Sequence, residues 1–161
     1  MRKAIIVTGT PATGKTTVAK AIAAKIKAKY IDVTAVVKRY NLSEDYDKER
    51  KCEIVDTAKL NKVLKQMLEK SDKILIIDSH MSHDLPKSHV KLCIVTKCQL
   101  RELKKRLETR GYSKEKVREN LDSEIFDICF NEAKEKGHDT RIIDTSQGRD
   151  DLAKFIDKIN Q

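Results

Sequence analysis

Gly9-Thr10-Pro11-Ala12-Thr13-Gly14-Lys15-Thr16 is the stretch that decides the fold. It follows the apolar run Ala4-Ile5-Ile6-Val7 and leads into a segment rich in Ala and Lys. The spacing fits G-x-x-x-x-G-K-[ST], a loop that must leave a strand and open a helix. Gly14 permits backbone angles and a close approach that a side chain would forbid. Successive backbone N–H groups then point into one concavity that holds phosphate oxygens, and the new helix adds its positive N-terminal dipole. The loop therefore predicts a triphosphate site. Lys15 would reach the β- and γ-phosphates, Thr16 would ligand magnesium, and Thr17 is a candidate contact to the α-phosphate.

The rest of the chain alternates strand and helix. Strands are expected at 3–8, 29–31, 74–77, 90–95 and 141–144. Helices are expected at 15–28, about 33–40, 56–70, 97–109, 113–136 and 149–159, with Ser113 as an N-cap. Leu60, Val63, Leu64, Met67 and Leu68 share one face of the third of these helices. The polar, charged segment 41–53 reads as an exposed excursion. This order implies an α/β fold: a P-loop NTPase with a central parallel sheet and helices on both faces. With five Gly and two Pro, no flexible linker divides the 161 residues, so a single domain is expected over 1–161.

A second acidic site is needed near the magnesium. Asp78 directly follows Ile74–Ile77, at the strand end where ligands gather. It would hold magnesium and could orient the nucleophile. His80 follows two residues later and could orient a water or an acceptor phosphate, or simply be solvated. His80, His83 and His89 form only a weak pattern for zinc. A GTPase is disfavoured: Met81 stands where D-x-x-G needs glycine, and Thr96-Lys97-Cys98-Gln99 lacks the guanine-reading Asp. The chain's small size also argues against a large motor or AAA-type ATPase. A small-molecule kinase remains. It needs a segment for the acceptor, which 41–53 suits. It also needs a segment that closes over the phosphates, which Arg101–Lys116 suits, with Arg101, Arg106 and Arg110 and a hinge at Gly111. Guanidinium groups there would stabilise charge on the transferring phosphoryl.

Taken together, the phosphate loop, Asp78-x-His80 and Leu107-Glu108-Thr109-Arg110-Gly111-Tyr112, with Asn120 and Glu124-Ile125-Phe126 later, resemble the adenylate kinase isoenzyme 6 family. The resemblance covers nearly the whole chain. It implies an adenylate-kinase-like fold with a monophosphate-binding segment near 32–55 and a lid near 109–119. It implies a broad-specificity nucleoside monophosphate kinase acting on ATP and AMP, with ATPase activity. ATP contacts are implied at Ala12, Gly14, Lys15, Thr16, Thr17 and Arg110, with Gly9, Thr13 and Arg106 completing the nucleotide site. It also implies small-subunit ribosomal protein eleven and the pre-small-subunit ribosome as transient partners, in late cleavage of the small-subunit RNA. An ATP-driven assembly factor and a small-metabolite kinase are the alternatives. Two positions depart from the family pattern: Ala12 replaces a usual Gly, and Lys38, with Arg39 next to it, replaces an Arg. Ala tolerates most loop geometries unless its φ is positive, and Lys meets phosphate without the bidentate fork.

The net charge is +9 and 37% of residues are charged. This fits a solvated Lys/Glu surface or an RNA-linked role equally. Trp is absent and aromatics are 4%, so base stacking is not a theme, and no DNA partner is expected. Cys52, Cys93, Cys98 and Cys129 form no C-x-x-C pair, and no signal peptide precedes them. Reduced thiols in the cytoplasm are expected, with Cys93 in the core. No apolar stretch approaches the roughly 20 residues that span a bilayer, so no membrane partner is expected.

Overall fold

In a computed structural model that describes residues 3–48, 52–146 and 148–160, the strand–helix alternation closes into one sheet. Ala4–Gly9 forms β1, Lys29–Asp32 β2, Leu75–Asp78 β5, Val90–Lys97 β6 and Thr140–Asp144 β7. Their order is β2-β5-β1-β6-β7, and every neighbouring pair is parallel. All six residues of β1 and all four of β5 are buried, as expected of strands covered on both faces. Alternation sorts β1 into two cores. Ala4 and Ile6 face Leu60, Leu64 and Leu68 of α3 (Thr57–Lys70). Ile5 and Val7 face Val18 and Ile22 of α1 (Lys15–Ile26) and Ile156 of α7 (Arg149–Ile159).

A third, smaller core holds the remaining wall of the site. Leu103 and Leu107 of α4 (Leu100–Thr109) and Val117 of α5 (Lys114–Ile125) pack with Ala12 and Cys98. Ser113 caps α5 by accepting from the Lys116 N–H at 3.2 Å, as its sequence position suggested. Cys93 is fully buried, and burial pushes its thiol up to about 12.

The charged excursion 41–53 contains an antiparallel pair, β3 (Ser43–Asp47) and β4 (Cys52–Val55), after the short α2 (Val33–Arg39). Residues 49–51 of that segment lie outside the described residues. The single helix expected at 113–136 is two. It breaks after Ile125 and restarts as α6 (Ile128–Glu135), with Asp127 at φ 50°. The cause is Lys97. Its ammonium donates to the Glu124 carbonyl at 3.0 Å and pairs with the Glu124 and Asp127 carboxylates, which hold its pKa above the ordinary value against the effect of burial.

Gly9 sets how closely β1 can approach β6. A Cβ built there would lie 2.3 Å from Thr96 Oγ1 and 2.8 Å from the Thr96 carbonyl oxygen. Gly9→Ala is therefore expected to lower stability by about 2–4 kcal/mol in urea denaturation, from overpacking plus a positive φ. A loss under about 0.5 kcal/mol would contradict this packing.

Candidate active site

The loop between β1 and α1 is stitched internally. Thr13 Oγ1 donates to the Thr10 carbonyl at 2.5 Å and shares a hydrogen bond with Thr96 Oγ1 at 2.7 Å. Thr145, just past β7, donates to the Thr13 carbonyl at 2.6 Å. Gly14 takes φ 90° and adopts the left-handed N-cap conformation of α1, with no side-chain cap and no acidic residue in the first turn. The first-turn N–H groups of α1 thus receive no competing carboxylate. Ala12 has φ 69°, the condition under which Ala at this position carries strain. Its methyl is buried against α4, which returns part of that cost.

Lys15 lies back over the loop and donates to the carbonyls of Gly9 at 3.0 Å and Thr10 at 3.1 Å. Burial pushes its pKa down from 10.5 to about 8, Asp78 opposes this, and Arg110 adds to it. Thr16 Oγ1 donates to Asp78 Oδ2 at 2.7 Å, so the two residues expected at a magnesium ion are already in contact. Asp78 closes β5 and is buried. The strand does not run on to His80, which sits in the following turn; burial, then the positive charge of Lys15, lowers its pKa.

Two cavities flank this centre. One, of about 570 Å³, is framed by Gly14 and Thr17 from the loop and α1, Arg110 at the end of α4, and Asp144 and Leu152 beyond. The other, of about 330 Å³, takes in Lys15, Thr16, Asp78 and His80, and has Asp32, Val37 and Val55 on its far wall. Four consecutive residues, Gly14 to Thr17, thus form the partition.

Several expected residues hold other posts. The Arg106 guanidinium donates to the Ala12 carbonyl at 3.3 Å and to the Thr145 hydroxyl and carbonyl at 3.1 Å each, while its Nε meets Glu102. It borders the larger cavity but is committed to tying α4 to the loop. Arg101 is exposed and borders neither cavity. Lys38 and Arg39 end α2, exposed, also outside both linings. His83 is buried between Thr8 Oγ1 at 2.7 Å and Glu132 Oε2 at 2.6 Å, beneath the loop. Sequence reading missed Tyr30, whose hydroxyl donates to Asp78 Oδ2 at 2.7 Å, and Asp32, the register partner of Asp78 on the adjacent strand. No local signal marked them: their place depends on β2 lying beside β5. Burial and Asp78 raise the Tyr30 pKa above its usual value.

A profile described as an AAA domain matches residues 5–127, which include the phosphate loop, Asp78 and Arg110. Its name is that of a class set aside above for the chain's small size; the similar proteins with informative names are kinases. A Methanocaldococcus jannaschii protein, provisionally named an adenylate kinase, is 38% identical over 96% of this chain and 82% of its own length. The adenylate kinase isoenzyme 6 homologues of Caenorhabditis elegans and Saccharomyces cerevisiae are 34% and 32% identical, covering 83% and 96% of this chain and 74% and 79% of their own. The chain belongs to the adenylate kinase isoenzyme 6 family. With that family it is a P-loop phosphotransferase-type protein that binds a nucleotide. A shikimate kinase from Acinetobacter baumannii superposes with a TM-score of 0.66 at 16% identity, covering 100% of this chain and 92% of that one. A Bacillus subtilis protein solved with phosphorylated GDP gives 0.63 at 20%, covering 98% and 95%. At that identity the likeness speaks for the kinase fold alone.

The lowered pKa of Lys15 has a sign. Between pH 8 and 10.5 the unfolded chain holds a proton that the folded chain has shed, so Lys15 makes stability rise with pH across that window. An anion at Lys15 would restore the proton. ATP binding at pH 9 is therefore expected to take up protons, seen as a calorimetric enthalpy that changes with the buffer's ionisation enthalpy, an effect absent in Lys15→Met. A buffer-independent enthalpy in the unsubstituted protein would contradict it.

Proposed function

We propose that this protein is a broad-specificity nucleoside monophosphate kinase that converts ATP and AMP to two ADP and hydrolyses ATP as a side reaction. One observation carries the reading: four consecutive residues divide between two cavities, Gly14 and Thr17 lining the larger, and Lys15 and Thr16, with Asp78, the smaller. A donor nucleotide in the larger cavity would place its triphosphate along the loop. A monophosphate in the smaller cavity would bring its phosphate oxygen to Lys15, with its base against Val33, Val37 and Val55.

An acceptor phosphate oxygen then bonds to the γ-phosphorus while the bond to the β–γ bridging oxygen breaks, and ADP leaves with that oxygen. The Lys15 ammonium leaves its loop carbonyls to meet the β- and γ-phosphates. Arg110 neutralises charge on the transferring group as the lid, 109–119, closes about Gly111, where φ is 76° and no atom crowds the position. His80 orients the acceptor. A hydroxyl and a carboxylate already 2.7 Å apart are the hard oxygen donors that suit magnesium. Held by Thr16 and Asp78, magnesium would supply charge neutralisation between the β- and γ-phosphates. Gly9, Ala12, Thr13 and Arg106 serve nucleotide binding by fixing the loop's shape, and the segment 32–55 serves the acceptor.

A second reading has its own support. Among the described residues, the smaller cavity sets two carboxylates, Asp32 and Asp78, against one lysine, Lys15, a poor setting for a dianionic monophosphate. That favours an ATP-driven assembly factor, with monophosphate kinase activity incidental. Ile125, Phe126 and Ile128 are exposed and give such a factor an apolar contact surface. The family resemblance carries the transient partner, small-subunit ribosomal protein eleven on the pre-small-subunit ribosome, and the cytoplasmic setting. Among the described residues no helix is long and apolar enough to cross a membrane.

ADP formation from ATP is expected to rise severalfold on adding AMP, and Lys15→Met is expected to lower it by about 10²–10³-fold. ATP consumption indifferent to AMP, CMP, GMP and UMP would overturn the kinase reading in favour of the second.

A further inference from the structure

Asp78 presents one carboxylate oxygen to two hydroxyls at once. Thr16 and Tyr30 both donate to Oδ2, each at 2.7 Å. The two donors have different freedoms. Thr16 stands at the start of α1 and is exposed to the cavity. Tyr30 is set in β2, half-buried, with the Lys20 ammonium 5.5 Å from its ring. The parallel register pairs Tyr30 with Ile76 and Asp32 with Asp78. The phenol therefore starts from the neighbouring strand and reaches toward the sheet's C-terminal edge, where Asp78 stands.

We infer that Tyr30 is a positioning residue of the metal site: its hydroxyl holds Asp78 Oδ2 in place when the Thr16 hydroxyl turns from Asp78 to the metal. The inference rests on the phosphotransferase reading only in taking Asp78 and Thr16 as the metal's residues. A carboxylate with a single mobile donor can swing on its side chain, and ordering it on binding costs affinity. A carboxylate already held by a phenol from a strand has lost that freedom during folding. Side chains that orient a metal-holding carboxylate typically contribute 10–100-fold in metal affinity. The geometry also separates Tyr30 from the nucleotide. It lines neither cavity, so it has no phosphate or base to touch.

The test is manganese binding to the full chain in the presence of ADP, read by the electron paramagnetic resonance of free manganese. Tyr30→Phe keeps the ring and removes only the donor. It is expected to weaken manganese binding by roughly 10–100-fold while leaving ADP affinity in EDTA unchanged. In an Asp78→Asn background the same change is expected to add nothing further, because Tyr30 acts through the Asp78 carboxylate. Unchanged manganese affinity in Tyr30→Phe would overturn the inference, as would an equal loss with Asp78→Asn present. Loss of ADP binding in EDTA would also overturn it, by assigning Tyr30 to the fold. So would failure of the unsubstituted chain to bind manganese with ADP. The kinase reading fails separately, on absent AMP-dependent ADP formation, and that result leaves the manganese comparison standing.

Discussion

The site depends on the absence of one side chain. Gly9 ends β1 where Thr96 of β6 already occupies the space that a Cβ would need. Because the backbone passes that close, Thr96 can bond both the Thr8 carbonyl and the Thr13 hydroxyl, which bends the loop back over the sheet edge. The bend aims the N-terminus of α1 and the Lys15 ammonium at one place. From the other side Arg106 and Thr145 grip the loop through the carbonyls of Ala12 and Thr13. A Lys whose pKa burial has lowered to about 8 and a helix terminus without a side-chain cap are both costs to the free protein, and both are offset by an anion.

The phosphate loop and the strand–helix alternation were legible because they are local. A motif of four restricted positions and runs of buried apolar residues need no knowledge of partners. Asp78 was legible for the same reason, lying at the end of such a run. Tyr30 and Asp32 were not, since their importance comes from β2 lying beside β5, whose paired residues lie 46 positions on in the chain, rather than beside the next strand in sequence. Arg106 was legible as a cation near the site but not as a brace, because its partner Thr145 lies 39 residues away. The break at Asp127 was hidden for a like reason: Lys97, which draws Glu124 and Asp127 to itself, sits at the end of β6. The hairpin in 41–53 was masked by its charge, which reads as loop.

Ala12 shows how a single residue can serve two demands. Its φ of 69° asks for glycine, while its buried position against Leu103 and Leu107 rewards a methyl group. The strain of an L-residue there is about 1–2 kcal/mol, and the methyl's burial together with glycine's greater unfolded-state entropy returns a similar amount. Glycine and alanine are thus near-equivalent solutions at this position, the second of which packs the loop against α4. On the acceptor side, Lys38 and Arg39 stand away from the smaller cavity, whose charged lining among the described residues includes Asp32, Asp78 and Lys15.

The central claim is that the two cavities are the donor and acceptor ends of one reaction path across Gly14–Thr17. It is tested most directly by titrating the protein with a dinucleoside pentaphosphate, which joins an ATP-like and an AMP-like end. The account predicts one equivalent bound at least about 100-fold more tightly than ADP, as linked occupation of two sites requires, with both Lys15→Met and a substitution in the smaller cavity, Val37→Arg, reducing that gain. An affinity no better than that of ADP, or one untouched by Val37→Arg, would contradict it.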